Sequence, residues 1–187
     1  MRNRSALALA LPVAIHLAPS LSGIAPLRTM LMPGLAGRST ATTVALTFDD
    51  GPDADSTPAF LDALAELNAT ATFFLLGEMI ERAPQIAGRI VDEGHEVAVH
   101  GWTHRNHLRL APWTIRAEIQ RTSELIEATT GQRPRFYRPP YGVISAGDVW
   151  AAGERAWDVR ASLFARSPAD RTGRSLRATD ACRLGST

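Results

Sequence analysis

Short apolar runs alternate with amphipathic segments through the middle of the chain. The apolar runs are rich in Val, Phe and Leu and end at glycine, proline or charged residues, which predicts buried strands. Four strands are predicted, one from Val44 up to Asp49 and the others at 70–76, 96–100 and 135–138. Between them, the segments 56–67, 84–93 and 112–130 have the apolar spacing of helices. This alternation predicts an α/β domain with a largely parallel sheet.

The predicted helices have the ends and the apolar faces expected of helices that pack on a sheet. Ser56 or Thr57 can cap the first helix, and Pro58 suits its first turn. Gly94 and Gly131 follow the second and third helices and are predicted to be their left-handed caps. The predicted buried faces contain Phe60, Leu61, Leu64 and Leu67, then Ile86, Ile90 and Val91, and finally Ile115, Ile119 and Ile126.

The pattern is different in residues 1–40. Arg2 and Arg4 precede a short apolar stretch, as in the start of a signal peptide, although Pro12 and His16 interrupt it. The stretch is too short to predict a membrane span. Two interpretations stay open: a signal-like or membrane-associating leader with small residues around 35–37 for cleavage, or an extension that packs on the domain.

Composition narrows the class of protein. A chain of 187 residues fits one domain after a leader. The net charge of +1 does not favour nucleic acid as a partner. Cys182 is the only cysteine, so the chain can form no intrachain disulfide and no CxxC metal site.

Candidate chemistry begins where the first predicted strand ends. Asp49 and Asp50 stand side by side before the Gly51-Pro52 breaker. Two adjacent carboxylates repel each other unless a metal ion or an arginine lies near them. The alternative is a solvated turn, because Asp, Gly and Pro are ordinary turn residues.

Two histidines follow the third predicted strand at the matching position. His100 ends the strand, and His104 comes four residues later, so one turn of helix would point both imidazoles the same way. With an aspartate, they form a sensible ligand set for Zn²⁺ or a similar divalent ion. Histidines near a surface loop are also common. Of the other histidines, His107 is predicted to be solvated, and His95 to serve the turn after Gly94.

Arg138 and Tyr141 follow the fourth predicted strand, with two prolines between them. Arg138 could pair with a carboxylate and keep it ionised. Tyr141 and Gly142 could offer backbone N–H groups to a developing oxyanion. The alternative is a rigid turn beside a surface arginine.

The three clusters span Thr47 to Pro52, His100 to His104 and Arg138 to Gly142. In order and spacing they resemble the first three motifs of the polysaccharide deacetylases, which are carbohydrate esterase family four with the NodB homology domain. The resemblance covers about Val44 to Trp150. It implies a distorted (β/α) barrel with fewer than eight strands. It also implies metal-dependent removal of acetyl groups from N-acetylated glycans such as chitin oligosaccharides or peptidoglycan.

The same resemblance implies a role for each matching residue. Asp49 matches the catalytic base, and Arg138 matches the arginine that orients it. Asp50, His100 and His104 match the ligands of a divalent metal, Zn²⁺ or alternatively Co²⁺. Tyr141 matches the residue whose backbone N–H binds the oxyanion. The implied domain covers residues 41–153, and the leader together with a glycan substrate favours secretion or the cell envelope over the cytoplasm.

The end of the chain departs from the family pattern. Members of the family carry a late histidine that acts as general acid, whereas no histidine follows His107 here. Residues 154–187 have few large apolar side chains, which predicts either a disordered tail or a segment out of frame. Two alternative functions therefore stay open. One is a remnant that binds metal or glycan without turnover, and the other is a hydrolase of another C–N bond in a small substrate.

Overall fold

The computed structural model describes residues 2–24, 26–27, 30, 45–155 and 158–159. Five parallel strands form one sheet in this part of the chain, in the order β1-β2-β3-β4-β5. The strands are β1 (Leu46–Gly51), β2 (Ala71–Leu76), β3 (Glu96–Gly101), β4 (Phe136–Tyr137) and β5 (Asp158–Val159). Because all five are parallel, their carboxyl ends meet at one edge. The predicted α/β fold with a parallel sheet is confirmed.

Six helices with defined bounds accompany the strands in the described part of the chain. They are α1 (Arg2–Leu17), α2 (Thr57–Glu66), α3 (Gly77–Arg82), α4 (Pro84–Asp92), α5 (Pro112–Thr130) and α6 (Ala146–Arg155). Short 3₁₀ turns occupy Ala18–Gly23, His107–Arg109 and Pro140–Gly142. The three predicted helices correspond to α2, α4 and α5, and Gly94 and Gly131 have the predicted left-handed backbone.

The core lies on both faces of β2 and β3. All six residues of β2 are buried, and so are Val97, Ala98 and Val99 of β3. Ile90 of α4 and Ile115 of α5 cover the sheet as predicted. Such near-continuous apolar strands are typical of a parallel sheet that is covered on both faces.

Some details differ from the sequence prediction. Phe60 is 46% exposed, although its ring centroid lies 4.9 Å from that of Phe48. The helices α3 and α6 are not predicted by the sequence pattern, since Gly77 indicates only the end of a strand. β4 includes only two of the four residues predicted at 135–138. Pro139 and Pro140, which cannot donate to a sheet ladder, prevent the strand from continuing past Arg138.

The two ends of the chain are described in part. The leader contains α1, which packs against α6. Within the described residues, no helix has the length and apolar character needed to cross a membrane. Asp158 and Val159, inside the predicted irregular tail, pair with Phe136 and Tyr137. The cleavage segment 35–37, Cys182 and the tail from residue 160 onward lie outside the described residues.

Candidate metal centre and active site

The two adjacent aspartates lie at the carboxyl end of β1, where the strand register changes. Regular pairing with β2 runs to Phe48 and resumes at Gly51. Asp50 has a left-handed backbone, with φ of 70°. Such irregularities at strand ends re-aim side chains. Here they give the two carboxylates different partners, because Asp49 contacts Arg138 whereas Asp50 faces two histidines.

Asp50, His100 and His104 form a cluster that could hold a metal ion. One ligand atom from each residue lies within 4.8 Å of the others. Asp50 Oδ1 is 3.3 Å from His100 Nε2 and 3.5 Å from His104 Nε2. Two imidazole nitrogens and one carboxylate oxygen are a suitable donor set for a divalent ion that keeps an open position. The predicted ligands therefore fit such an ion.

The orientation of His100 is fixed by a backbone contact. Its Nδ1 lies 2.8 Å from the carbonyl oxygen of Arg138. That oxygen can only accept, so Nδ1 donates and Nε2 presents its lone pair toward Asp50. Burial lowers the pKa of His100, against the opposing effect of the carboxylates of Asp49 and Asp50. A low pKa keeps the imidazole neutral, which is the form that binds a metal.

Trp102 anchors the loop between the two histidines. Its carbonyl oxygen accepts a hydrogen bond of 3.1 Å from the backbone N–H of Glu78. The guanidinium carbon of Arg121 lies 3.3 Å from the centroid of its ring. Gly77 leaves room for the ring, since a Cβ at that position would come within 2.3 Å of it. The sequence prediction missed this contact, because Gly77 and Trp102 are close only in the folded chain.

Arg138 connects the first strand with the fourth. Its Nη1 donates to Asp49 Oδ1 at 2.6 Å and to Thr47 Oγ1 at 3.1 Å. Thr47 and Asp49 are two residues apart in β1, so alternation places both on the side that Arg138 reaches. The guanidinium carbon also lies 4.0 Å from the ring centroid of Phe74. Because the Arg138 side chain is only 5% exposed, the carboxylate of Asp49 is the counter-charge that makes its burial tolerable.

Tyr141 borders the metal cluster on its exposed side. Its backbone is left-handed, with φ of 59°, which is uncommon for a residue with a side chain. Tyr141 is 62% exposed, and the centroid of its ring lies 4.4 Å from that of His104. The hydrogen bond from Gly142 N to Pro139 O, 3.0 Å long, closes the turn. Strained backbone of this kind is often found where a ligand binds.

The prediction that His107 is solvated is wrong. His107 is fully buried, and its Nδ1 lies 2.7 Å from Asp148 Oδ1 and 3.2 Å from the hydroxyl of Tyr137. Its partners come from 30 and 41 residues later in the chain, so the residues around His107 carry no signal for them. His95 stands outside the site and packs its ring against Phe73, with centroids 5.6 Å apart; burial lowers its pKa.

Known proteins resemble this chain over most of the described domain. Residues 36–156 match the family model of polysaccharide deacetylase. The peptidoglycan-N-acetylglucosamine deacetylase of Bacillus cereus is 43% identical over 121 residues, covering 64% of this chain and 44% of that protein. The chitooligosaccharide deacetylase of Bradyrhizobium sp. is 38% identical over 136 residues, covering 69% of this chain and 62% of that protein.

A solved structure supports the same relationship. The crystal structure of the Bc1960 peptidoglycan N-acetylglucosamine deacetylase, in complex with an N-oxidanyl-benzamide ligand, superposes with a TM-score of 0.63 at 41% sequence identity. The match covers 66% of this chain and 58% of that one. The chain thus spans between 44% and 62% of the lengths of these three proteins.

Proposed function

The chain belongs to the polysaccharide deacetylase family, and we propose that it is a metal-dependent hydrolase that removes N-acetyl groups from polysaccharide containing N-acetylglucosamine. The observation that carries this proposal is the meeting of two distinct carboxylates at the end of β1. Asp50 faces the histidine pair, while Asp49 is held separately by Arg138. One carboxylate is thus available as a ligand and the other as a base.

Asp50, His100 and His104 are the proposed ligands of a divalent ion, most simply Zn²⁺, with Co²⁺ as an alternative. When bound, such an ion would polarise the acetamide carbonyl and lower the pKa of a bound water toward about 7. The side chains of Asp50 and His104 are 61% and 32% exposed, so a glycan could approach from their side.

Asp49 is the proposed general base. Its carboxylate takes a proton from the attacking water, whose oxygen forms a bond to the acetyl carbon. Arg138 fixes the orientation of the Asp49 carboxylate by donating a hydrogen bond to it. The backbone N–H of Tyr141 is proposed to donate to the oxyanion that develops on the carbonyl oxygen.

The reaction is completed when the C–N bond breaks and the amine leaves with acetate as the second product. The nitrogen needs a proton as it departs. Asp49, which has just gained one, is the proposed donor. The net result for each acetyl group is that one water is consumed and one amine and one acetic acid are formed, and the acid gives its proton to the amine or to solvent as it becomes acetate.

The names of the relatives support an N-acetylated glycan as substrate. One acts on peptidoglycan and another on chitooligosaccharide. We propose the same class for this chain. We also propose secretion or attachment to the cell envelope, where such glycans occur. The support for this location is the arginine-led apolar stretch of α1.

An acetate-release assay tests the function. Chitin oligomers and peptidoglycan would be incubated with the chain and Zn²⁺ or Co²⁺, and the native chain compared with Asp49→Asn. Asp55→Asn, a change of the same type at an exposed loop residue, is the matched control. We expect release by the native chain and by Asp55→Asn, and loss of about 10²–10⁴-fold in Asp49→Asn.

Other outcomes separate the alternatives. If the native chain binds Zn²⁺ but releases no acetate from either glycan, the chain is a binding remnant. If the native chain binds no divalent metal, the metal-dependent mechanism is contradicted. Release of ammonia or acid from small amides, with none from glycans, would favour the small-substrate hydrolase.

A further inference from the structure

A buried polar cluster lies beneath the metal site, and the mechanism above does not use it. It consists of Asp148, His107, Tyr137 and Ser145. Each of these side chains is at most 1% exposed. Burying four polar side chains together is unfavourable unless they satisfy one another, so the cluster needs a physical explanation.

Asp148 is the centre of this cluster. Its Oδ1 accepts from the hydroxyl of Tyr137 and lies 2.7 Å from His107 Nδ1. Its Oδ2 accepts from the backbone N–H and the hydroxyl of Ser145, at 2.7 and 2.6 Å. Burial alone would raise the pKa of Asp148, but the hydrogen bonds from His107, Ser145 and Tyr137 outweigh it and lower the pKa. The group is therefore a carboxylate.

An ionised Asp148 determines the tautomer of His107. A carboxylate can only accept, so Nδ1 of His107 carries the proton. In the neutral imidazole, Nε2 is then the nitrogen without a proton. In the described residues, Nε2 is buried without a hydrogen-bond partner, and it lies 3.8 Å from where a Cβ of Gly101 would be. The imidazole thus packs edge-on against the segment that joins the two proposed histidine ligands.

The three partners of Asp148 come from the three segments that carry the site. His107 begins the turn that follows His104. Tyr137 immediately precedes Arg138 in the chain, and its Cα is the register partner of Val99, which precedes His100. Ser145 follows the turn that contains Tyr141 and begins the approach to α6. A single carboxylate therefore links the ends of the loops that hold the ligand, the arginine and the oxyanion donor.

We propose that Asp148 is a positioning residue that acts through His107 and Tyr137. It holds the loop from His100 to His104, together with Arg138, in the geometry that binds the ion. This inference rests on the proposed metal site. Removing a group that orients a metal-ligating side chain typically weakens metal affinity by about 10–100-fold. The cluster would do the same here without touching substrate.

Tyr137→Phe is the most selective test, because it removes one hydroxyl and leaves the ring in place. Thr72→Val is the matched control. It removes a buried hydroxyl that donates to Glu96, near the amino ends of β2 and β3. Tyr137→Phe removes contacts with Asp148 and His107, whereas Thr72→Val removes one hydrogen bond to Glu96. Both variants should lower the melting temperature of the metal-free protein, Tyr137→Phe at least as much as Thr72→Val. Only Tyr137→Phe should bind Zn²⁺ more weakly, by about tenfold in a chelator competition.

Two further measurements complete the test. A long-range ¹H–¹⁵N spectrum of the metal-free chain should show His107 protonated at Nδ1. Asp148→Asn should weaken Zn²⁺ binding more than Tyr137→Phe does, and Tyr137→Phe decides the question if Asp148→Asn does not fold. Equal Zn²⁺ affinity in Tyr137→Phe and Thr72→Val, or a His107 without a proton on Nδ1, would overturn the positioning role. Absence of Zn²⁺ binding in the native chain would instead overturn the proposed function.

Discussion

Replacing Gly77 with alanine tests whether the loop between the two histidines must stay where Trp102 holds it. A Cβ at Gly77 would lie 2.3 Å from Cε3 of Trp102, 2.7 Å from Cζ3 and 2.8 Å from Cδ2. Carbon atoms pack at about 3.5–4.0 Å, so the ring would have to move by roughly 1 Å or more. The guanidinium carbon of Arg121 lies 3.3 Å from the ring centroid, and the carbonyl oxygen of Trp102 accepts a hydrogen bond from the backbone N–H of Glu78. The loop would therefore move with the ring.

Gly77→Ala is expected to change both the stability of the fold and the affinity for Zn²⁺. Overpacking of this kind destabilises by about 1–3 kcal/mol. A displacement of about 1 Å at a site can reduce its function about 10²-fold. We expect the Gly77→Ala variant to bind Zn²⁺ at least about tenfold more weakly and to melt at a lower temperature. Gly88→Ala is the control, because a Cβ there meets nothing within 4 Å. Since Gly88 lies inside α4, alanine should stabilise the protein by up to about 1 kcal/mol.

The assay is a thermal melt of each metal-free variant, followed by competition for Zn²⁺ with a chelator. If Gly77→Ala keeps the native melting temperature and the native Zn²⁺ affinity, the proposed coupling between Trp102 and the metal site is refuted. A loss of stability with unchanged affinity would show that Trp102 supports the fold but not the site.

Three other predictions concern single positions. Asp50→Asn should lose Zn²⁺ binding but fold normally, because asparagine tolerates the left-handed backbone at this position. Asp50→Ala should lose Zn²⁺ binding and also about 1 kcal/mol of unfolding free energy in a urea melt. Native-like Zn²⁺ affinity in Asp50→Asn would exclude Asp50 as a ligand. Tyr141→Gly should relieve the strained backbone at φ of 59° and slightly raise the melting temperature. It should also reduce the rate of acetate release, because the ring beside His104 is lost. An unchanged rate of acetate release would exclude a role for that ring. Burial lowers the folded-state pKa of His95, so the unfolded chain binds more protons below about pH 6.5 and stability should fall as the pH drops from 7.5 to 5. His95→Leu should show a shallower fall in urea melts at these two pH values, and equal slopes would contradict the assignment.

The fold and the location of the site can be predicted from the sequence because both depend on local patterns. A parallel sheet follows from the alternation of apolar strands and amphipathic helices. Parallel strands place their carboxyl ends at one edge, so the pattern alone predicts that the aspartates, the histidine pair and Arg138 lie near one another.

Other features depend on contacts between distant parts of the chain. His107 has nothing in its neighbourhood in the sequence that indicates a partner, and Asp148 comes 41 residues later. The sequence pattern predicts Gly77 only as the end of a strand. A glycine after a strand can equally serve to leave room for an indole ring, and the sequence does not distinguish the two. The left-handed backbone of Asp50 and Tyr141 also has no local signature, since neither is a glycine. These are the positions where packing, rather than propensity, decides the structure.

In the proposed site, one carboxylate at the end of β1 binds a metal while its neighbour acts as a base. This division of roles can be tested by measuring Zn²⁺ binding and acetate release from a chitin oligomer on the same samples of native chain, Asp49→Asn and Asp50→Asn. We expect Asp49→Asn to bind Zn²⁺ like the native chain but to release almost no acetate, and Asp50→Asn to lose both Zn²⁺ binding and acetate release. Acetate release by Asp49→Asn at the native rate, or native Zn²⁺ binding by Asp50→Asn, would contradict it.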